Sequence, residues 1–296
     1  MTPRIDADVV VVRLGVGSDG VGWGPEVIDA RTPALHADDP MIARGDGIFE
    51  TLLVRDGVPC LLTAHLARLA ASAETVGLPA PDLGRFRAAV DVAVSRWSGG
   101  EAVLRLLHGR GREGGANGFV TVSALPERAL VARRDGVTAV TVDRGLPAYD
   151  VDAAPWSLAR VKSLSYAMFA AAQRHAERLG ATDVILVSAD GFVLEGARST
   201  VVIAPEPGVL LTPPPSSPLL PGTTAQALFA VARRGGWRCD ARQLRVEDLH
   251  AAQGLWLLSS VTLAARVGVL DGTVLPVAPM AAEVVELVDA AVQAGG

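Results

Sequence analysis

The sequence predicts an α+β fold in two domains, on three observations. Apolar residues alternate along some short stretches and recur at three- and four-residue spacing along others, the periods of strands and helices. The two kinds of stretch follow one another without the regular strand–helix alternation of a parallel sheet, and no internal repeat is found. The 296 residues, half of them hydrophobic and a fifth charged, are enough for two ordinary domains with a core each.

In chain order, residues 8–14 read as a strand around Val9-Val10-Val11-Val12. Gly15-Val16-Gly17-Ser18-Asp19-Gly20 follows and matches the letters of the dinucleotide fingerprint. Pyrophosphate binding there needs a helix N-terminus next, and Val21-Gly22-Trp23-Gly24-Pro25 cannot begin one, so the match reads as a turn. Residues 47–54 alternate into the Asp56-Gly57 turn, with 59–62 returning as a hairpin partner. Residues 64–76 and 83–97 have helical spacing, and strands at 102–108 and 119–125 flank the glycine-rich 109–118. Residues 127–135 are charged and without periodicity and read as a linker. That places a smaller N-terminal α/β domain at 1–126 and a larger α+β domain at 136–296.

The second half opens with a strand at 137–143 and a long loop through Pro147 and Pro155 to Lys162. An amphipathic helix carries Leu164, Ala167, Met168, Ala171, Ala172, His175 and Leu179 on one face and closes at Gly180. Strands are expected at 183–188 and 192–195, joined by Asp190-Gly191, then at 199–203 and 209–211. The proline-rich 213–221 reads as an ordered crossover into a helix at 223–234, followed by strands at 243–246 and 255–258 and a closing helix at 278–292.

Composition excludes several functions. The formal charge of −5 argues against nucleic acid, which needs a concentrated basic field. The apolar run at the N-terminus is too short for a signal or a membrane span, and Cys60 and Cys239 cannot build a disulfide framework, so a cytoplasmic protein is expected. The five histidines form no H-x-H or H-E-x-x-H pair, and no metal site is expected. There is no G-x-S-x-G elbow and no G-K-[ST], which removes the serine-hydrolase and Walker A readings.

Of the 27 lysines and arginines, only Lys162 is a lysine. Arginine solvates a surface equally well but keeps its proton near neutral pH, so a lysine is required where a neutral amine must attack a carbonyl. The count alone leaves open a leftover surface residue. Position favours function: Lys162 stands at a strand-to-helix junction, with Ser163 or Ser165 as the cap, and a helix dipole there would disfavour the ammonium form. Leu220-Pro221-Gly222-Thr223-Thr224 opens a helix and makes either an anion site or a plain N-cap. Glu195 ends a strand before Gly196-Ala197-Arg198-Ser199-Thr200. Alone it reads as a surface charge, but beside a Schiff-base lysine a carboxylate can keep a pyridine nitrogen protonated, with Asp183, Asp190 and Glu206, in or next to turns, as its rivals.

Together these residues resemble the class IV aminotransferase family, pyridoxal-phosphate enzymes of fold type IV. The segments that carry the resemblance are Lys162-Ser163-Leu164-Ser165-Tyr166, Glu195 with Ser199-Thr200, and Pro221-Gly222-Thr223-Thr224. Arg44-Gly45-Asp46-Gly47-Ile48-Phe49-Glu50-Thr51-Leu52 and His65-Leu66-Ala67-Arg68-Leu69 agree, in the right order along the chain. The resemblance implies pyridoxal 5'-phosphate in a cleft between two domains, a D-amino acid aminotransferase-like fold, and a homodimer acting on a small-molecule substrate. It implies that Lys162 forms the Schiff base and moves the α-proton, and that Glu195 pairs with the pyridine nitrogen. It further implies that Arg68, Thr223, Thr224, Ser260 and Val261 hold the phosphate and that Tyr166 contacts the ring hydroxyl. The chain departs from the family pattern at Thr200, where asparagine is common, and at Ala225, where arginine is common, which leaves open how the phosphate loop is braced.

Among the activities on this scaffold, Phe49-Glu50-Thr51-Leu52, the Arg110-Gly111-Arg112 stretch and Arg266 resemble the 4-amino-4-deoxychorismate lyases, which release pyruvate and the folate precursor 4-aminobenzoate. D-amino acid aminotransferase is the alternative, and the branched-chain activity fits less well because glycine is usual where Thr51 stands. The lyase substrate carries two carboxylates, for which Arg110 and then Arg112 are the candidates. A protein that keeps the fold without the cofactor is the reading from another class; it expects a colourless preparation in which arginine replaces Lys162 without effect.

Overall fold

The structure is a computed structural model that describes residues 9–16, 22–148, 154 and 156–293. The chain divides into two compact units, one of residues 1–125 with Val161–Tyr166, the other of 126–160 with the chain from Ala167 onward. Of the G-x-G-x-x-G stretch, Gly17–Gly20 lie outside the described residues, as do 149–153 and Pro155 of the long loop.

The first unit is built on an antiparallel sheet of β1 (Val9–Val16), β2 (Gly22–Ile28), β3 (Gly47–Arg55), β4 (Val58–Pro59), β5 (Ala102–Arg110) and β6 (Ala116–Ala124). Its order among the described residues is β2-β1-β6-β5-β3-β4. A short α1 (Pro40–Ala43) precedes β3, and α2 (Leu62–Thr75) and α3 (Leu83–Arg96) cover one face. The alternating side chains of β3 and β5 explain the layering: Ile48, Leu52, Leu104 and Leu106 point inward and meet Leu69 and Phe86 of the helices. Strand β2 begins after the Gly15–Gly20 stretch expected as a turn. It accommodates Pro25 as the edge strand, the place in a sheet where proline is tolerated.

The second unit contains α4 (Glu127–Asp135), β7 (Val137–Asp143), α5 (Ala167–Arg178), β8 (Asp183–Val187), β9 (Val193–Gly196), β10 (Thr200–Ala204) and β11 (Val209–Thr212). It continues with α6 (Thr223–Arg234), β12 (Arg238–Ala241), α7 (Val246–Ala251), β13 (Gly254–Ser259), β14 (Leu263–Leu270), β15 (Thr273–Val274) and α8 (Ala281–Gln293). Its mixed sheet runs β12-β11-β10-β13-β14-β7-β8-β9, with β15 paired to β14. The proline-rich stretch leads from β11 through α6 to β12, which lies parallel to β11, a βαβ crossover.

Four local expectations differ from the structure. Residues 127–135 are the helix α4; its sequence is too polar to show a period, and burial of Ala129 with packing of Ala132 on the core supplies what the pattern lacks. The strand expected at 243–246 is displaced: β12 ends at Ala241, and Val246 starts α7, which Asp248 caps from its third position. Helix α5 begins at Ala167 rather than Leu164. The lysine segment, expected within the C-terminal domain, belongs to the first unit because residues 162–164 bond to the start of β3.

Candidate active site

In the first unit the site grows from β3. Alternation turns Phe49 to one face and Glu50 to the core face, where the carboxylate is fully buried. A buried carboxylate requires partners, and α2 supplies them one turn apart on the same face, His65 and Arg68. Arg68 donates Nε to Glu50 Oε1 and Nη2 to Oε2, each at 2.7 Å, the two-pronged pairing a guanidinium suits best. His65 Nδ1 stands 2.6 Å from Oε2. Burial alone would raise the Glu50 carboxyl, but the Arg68 charge and the hydrogen bonds from Arg68 and His65 prevail and hold it at about 2. Burial keeps His65 below the ordinary imidazole value even though the Glu50 hydrogen bond acts upward, so the neutral ring donates through Nδ1–H.

Lys162 lies beside this network, and its charge is among those felt by His65. Its segment runs antiparallel to the start of β3: the Phe49 N–H donates to the Lys162 carbonyl at 2.9 Å and the Leu164 N–H to the Gly47 carbonyl at 2.8 Å. The lysine is therefore held by strand-like pairing and not at a helix N-terminus, so the expected dipole effect has no helix to act through. Nζ sits 4.5 Å from the centre of the Phe49 ring, and that ring meets Tyr166 edge-on at 5.8 Å. Both arginines expected at the substrate carboxylates are engaged within the chain. Arg110 donates Nε to Asp46 at 2.8 Å and Nη2 to the Gly77 carbonyl at 2.9 Å, while the half-exposed Arg112 pairs with Asp38 at 3.3 Å.

In the second unit a different set of side chains converges. Glu195 of β9 is buried, and its Oε2 accepts the Leu220 N–H at 3.1 Å, which ties the proline-rich loop to the carboxylate. The turn after Glu195 delivers Thr200 to the start of β10, where it pairs with Leu258 of β13. Thr200 also crowds Gly222: a Cβ on that glycine would lie 2.1 Å from Thr200 Oγ1. Register thus brings the β13–β14 turn, with Ser260 and Val261, to the end of the sheet where α6 begins.

Thr223 and Thr224 form the first turn of α6 behind Gly222, both buried, at the positive end of the helix. Thr224 Oγ1 is buried without a hydrogen-bond partner, a donor that an anion at the helix N-terminus would satisfy. Arg133 of α4 donates Nε to the Val261 carbonyl at 3.0 Å, and its Nη2 reaches the same oxygen.

The structure thus brings Lys162, Tyr166 and Arg68 into one unit and Glu195, Thr223, Thr224, Ser260 and Val261 into the other. Glu50 and His65 lie within the segments that carry the family resemblance, but sequence reasoning gave them no role, because only the docking of α2 on β3 shows that Glu50 faces the core and meets His65 and Arg68 there. Arg133 had no signal, since one arginine in a charged stretch resembles any other. Among the described residues no group of His, Cys, Asp or Glu is arranged to hold a metal, and no helix is long and apolar enough to cross a membrane.

Comparison with known proteins agrees with this architecture. The family described as amino-transferase class IV matches residues 47–269. The chain is 57% identical over 278 residues, 90% of this chain and 96% of the other, to the bifunctional aminodeoxychorismate lyase / D-amino acid transaminase of Mycobacterium tuberculosis. A solved structure titled a hypothetical aminotransferase from the same organism, in its PLP-bound form, superposes with a TM-score of 0.91 at 55% identity, covering 98% of this chain and 100% of that one. A fold IV transaminase from Curtobacterium pusillum superposes with a TM-score of 0.86 at 37% identity, covering 97% and 98%. In sequence and in architecture alike, the chain belongs to the class IV aminotransferase family.

Proposed function

We propose that the chain is a pyridoxal-phosphate enzyme that converts 4-amino-4-deoxychorismate to 4-aminobenzoate and pyruvate, and that the same site exchanges amino groups between D-amino acids and keto acids. The observation that carries the reading is Lys162, the single lysine of the chain, held by backbone hydrogen bonds to β3 beside the Glu50–His65–Arg68 network. The choice of reactions rests on the Mycobacterium tuberculosis relative, whose name carries both.

The residues present fit the cofactor. A buried hydroxyl that lacks a partner at the N-terminus of α6 suits a phosphate, and the buried Glu195 suits a protonated ring nitrogen. When bound, pyridoxal phosphate supplies an electron sink for the pair left when a bond to the amine-bearing carbon breaks. Lys162 would hold the cofactor through Nζ, and the same amine, when free, would take the proton from that carbon. Glu195 keeps the proton on the ring nitrogen. Thr223 and Thr224 hold the phosphate with the N–H groups of the first turn of α6, joined by Ser260, Val261 and Arg68, whose guanidinium Glu50 orients. Tyr166 contacts the ring hydroxyl.

In the lyase reaction the proton leaves the ring carbon, the bond to the enolpyruvyl oxygen breaks, and the ring becomes aromatic as pyruvate departs. Arg110 and Arg112 are the candidates for the two carboxylates. Each already binds an aspartate, so each would share or exchange that partner when substrate arrives. A cytoplasmic homodimer in folate precursor synthesis belongs to the same reading and rests on the family resemblance and the composition.

The test gives cofactor-loaded protein 4-amino-4-deoxychorismate with no keto acid and follows pyruvate and 4-aminobenzoate together, with Lys162→Ala as control. Equal, sustained release that the variant loses is the expected outcome. A loaded wild type that releases neither product, yet transfers the amino group of D-alanine to 2-oxoglutarate, would leave the aminotransferase alone.

A further inference from the structure

The β13–β14 turn has a brace in a place the sequence does not advertise. Helix α4 lies against β14. Gly136, which follows the helix, has φ +81°, and a Cβ there would stand 2.5 Å from the Arg266 carbonyl, so glycine alone allows this approach. Directly after it, Val137 of β7 pairs in parallel with Val267 of β14. With the end of α4 fixed to one strand of the hairpin, Arg133 extends to the turn at the hairpin's tip and gives both Nε and Nη2 to the Val261 carbonyl.

That pairing decides what the turn can offer a ligand. In a trans peptide the C=O and the next N–H point in opposite directions. The Val261 carbonyl is drawn to Arg133, and the Thr262 N–H on the far side is accepted by Ser259 Oγ at 3.1 Å. Both polar ends of this peptide are thus committed within the protein. A carbonyl oxygen swung toward an anion would repel it, and a charged donor on that oxygen opposes such a swing more strongly than a neutral one. On the reading above, the phosphate is then met by Ser260 and the Val261 N–H, which come before this peptide in the turn. Ala225, next to the threonine pair, carries no side-chain donor that could brace the site from the α6 side.

We propose that Arg133 is a positioning residue for the cofactor phosphate: by holding the Val261 carbonyl it keeps the β13–β14 turn in its phosphate-binding conformation. The inference rests on the reading of this turn as part of a pyridoxal-phosphate site.

The test separates phosphate binding from everything else. Apo wild type, Arg133→Met and Arg133→Lys are titrated with pyridoxal phosphate and, separately, with pyridoxal, following the ligand's absorbance shift and the protein's tryptophan fluorescence. Arg133→Met should weaken pyridoxal phosphate about tenfold or more, the scale of a lost charge-assisted hydrogen bond, and leave pyridoxal within about twofold. Arg133→Lys, which keeps one charged donor, should fall between. Unchanged affinity for pyridoxal phosphate, or equal loss for both ligands, would overturn the proposal. Should the methionine variant not fold, the ratio of the two affinities in Arg133→Lys decides by the same criterion. A wild type that binds neither ligand would remove the parent reading and this inference with it, which is a different result from a wild type that binds and variants that bind equally well.

Discussion

Glu50 is a fully buried carboxylate that stays charged, because a guanidinium fork and an imidazole N–H replace the water it gave up. Its carboxyl is lowered from 4.5 to about 2, so its ionised form stabilises the fold above about pH 4.5 and that contribution is lost as the pH falls toward 2. Glu50→Gln is expected to cost roughly 3 kcal/mol at pH 7, since it leaves the buried side of Arg68 without its counter-charge, and to flatten the acid limb between those two values. Urea unfolding of both proteins at pH 7 and pH 3.5 measures this; a loss below about 1 kcal/mol at pH 7 would mean that the pair is screened as a surface pair is. Lys162 was legible from the sequence because it is unique in type. Glu50 was not, because its importance lies in which way a strand residue points and in what the next helix places opposite it. Neither is visible until β3 and α2 are docked.

At the scale of elements, the cradle proposed for the phosphate depends on how closely β10 approaches the start of α6. Gly222 is required there not for its backbone angle, which is extended, but because Thr200 Oγ1 occupies the volume of a Cβ. Gly222→Ala should therefore push α6 away from β10, destabilise the protein by about 1–3 kcal/mol and weaken pyridoxal phosphate binding, whereas Thr200→Ala in the same chain should restore most of both. A double mutant no better than Gly222→Ala would place the clash elsewhere. The helix itself was read to the residue at 223–234, since its apolar spacing and its Gly-Thr-Thr start agree. Strand β14 has no counterpart among the elements the sequence predicts, and α4 occupies the stretch that reads as a linker. Both contain closely spaced arginine and alanine, so neither alternation nor helical spacing stands out; α4 is held by packing on β14, and β14 by pairing with β13 and β7.

At the scale of the whole molecule, the α+β class and the family were legible because the motifs retain their order along the chain. The allocation of residues to the two units was not, since Val161–Tyr166 joins the first unit through hydrogen bonds between segments far apart in sequence. The first unit also depends on two buried neutral histidines. Burial depresses His65 against the Glu50 hydrogen bond that would raise it, with Arg68 and Lys162 adding to the depression. Burial likewise depresses His108, whose Nε2 lies 2.7 Å from the Pro79 carbonyl and whose ring meets Phe86 edge-on. For each, the folded value lies below the unfolded one near 6.5, so the unfolded chain takes up the proton first. The stability present above that pH is then lost as the pH falls through it. Unfolding free energy should accordingly decline between pH 7.5 and 5.5, with a limiting slope of about 1.4 kcal/mol per pH unit for each histidine, well before Glu50 begins to titrate. His108→Gln, which can keep a donor toward Pro79 but cannot titrate, should lower that slope while leaving the Glu50-dependent loss below pH 4.5 in place. Urea titrations across the range settle the matter: stability that is flat or rising from pH 7.5 to 5.5 would mean that these rings are not held neutral by burial.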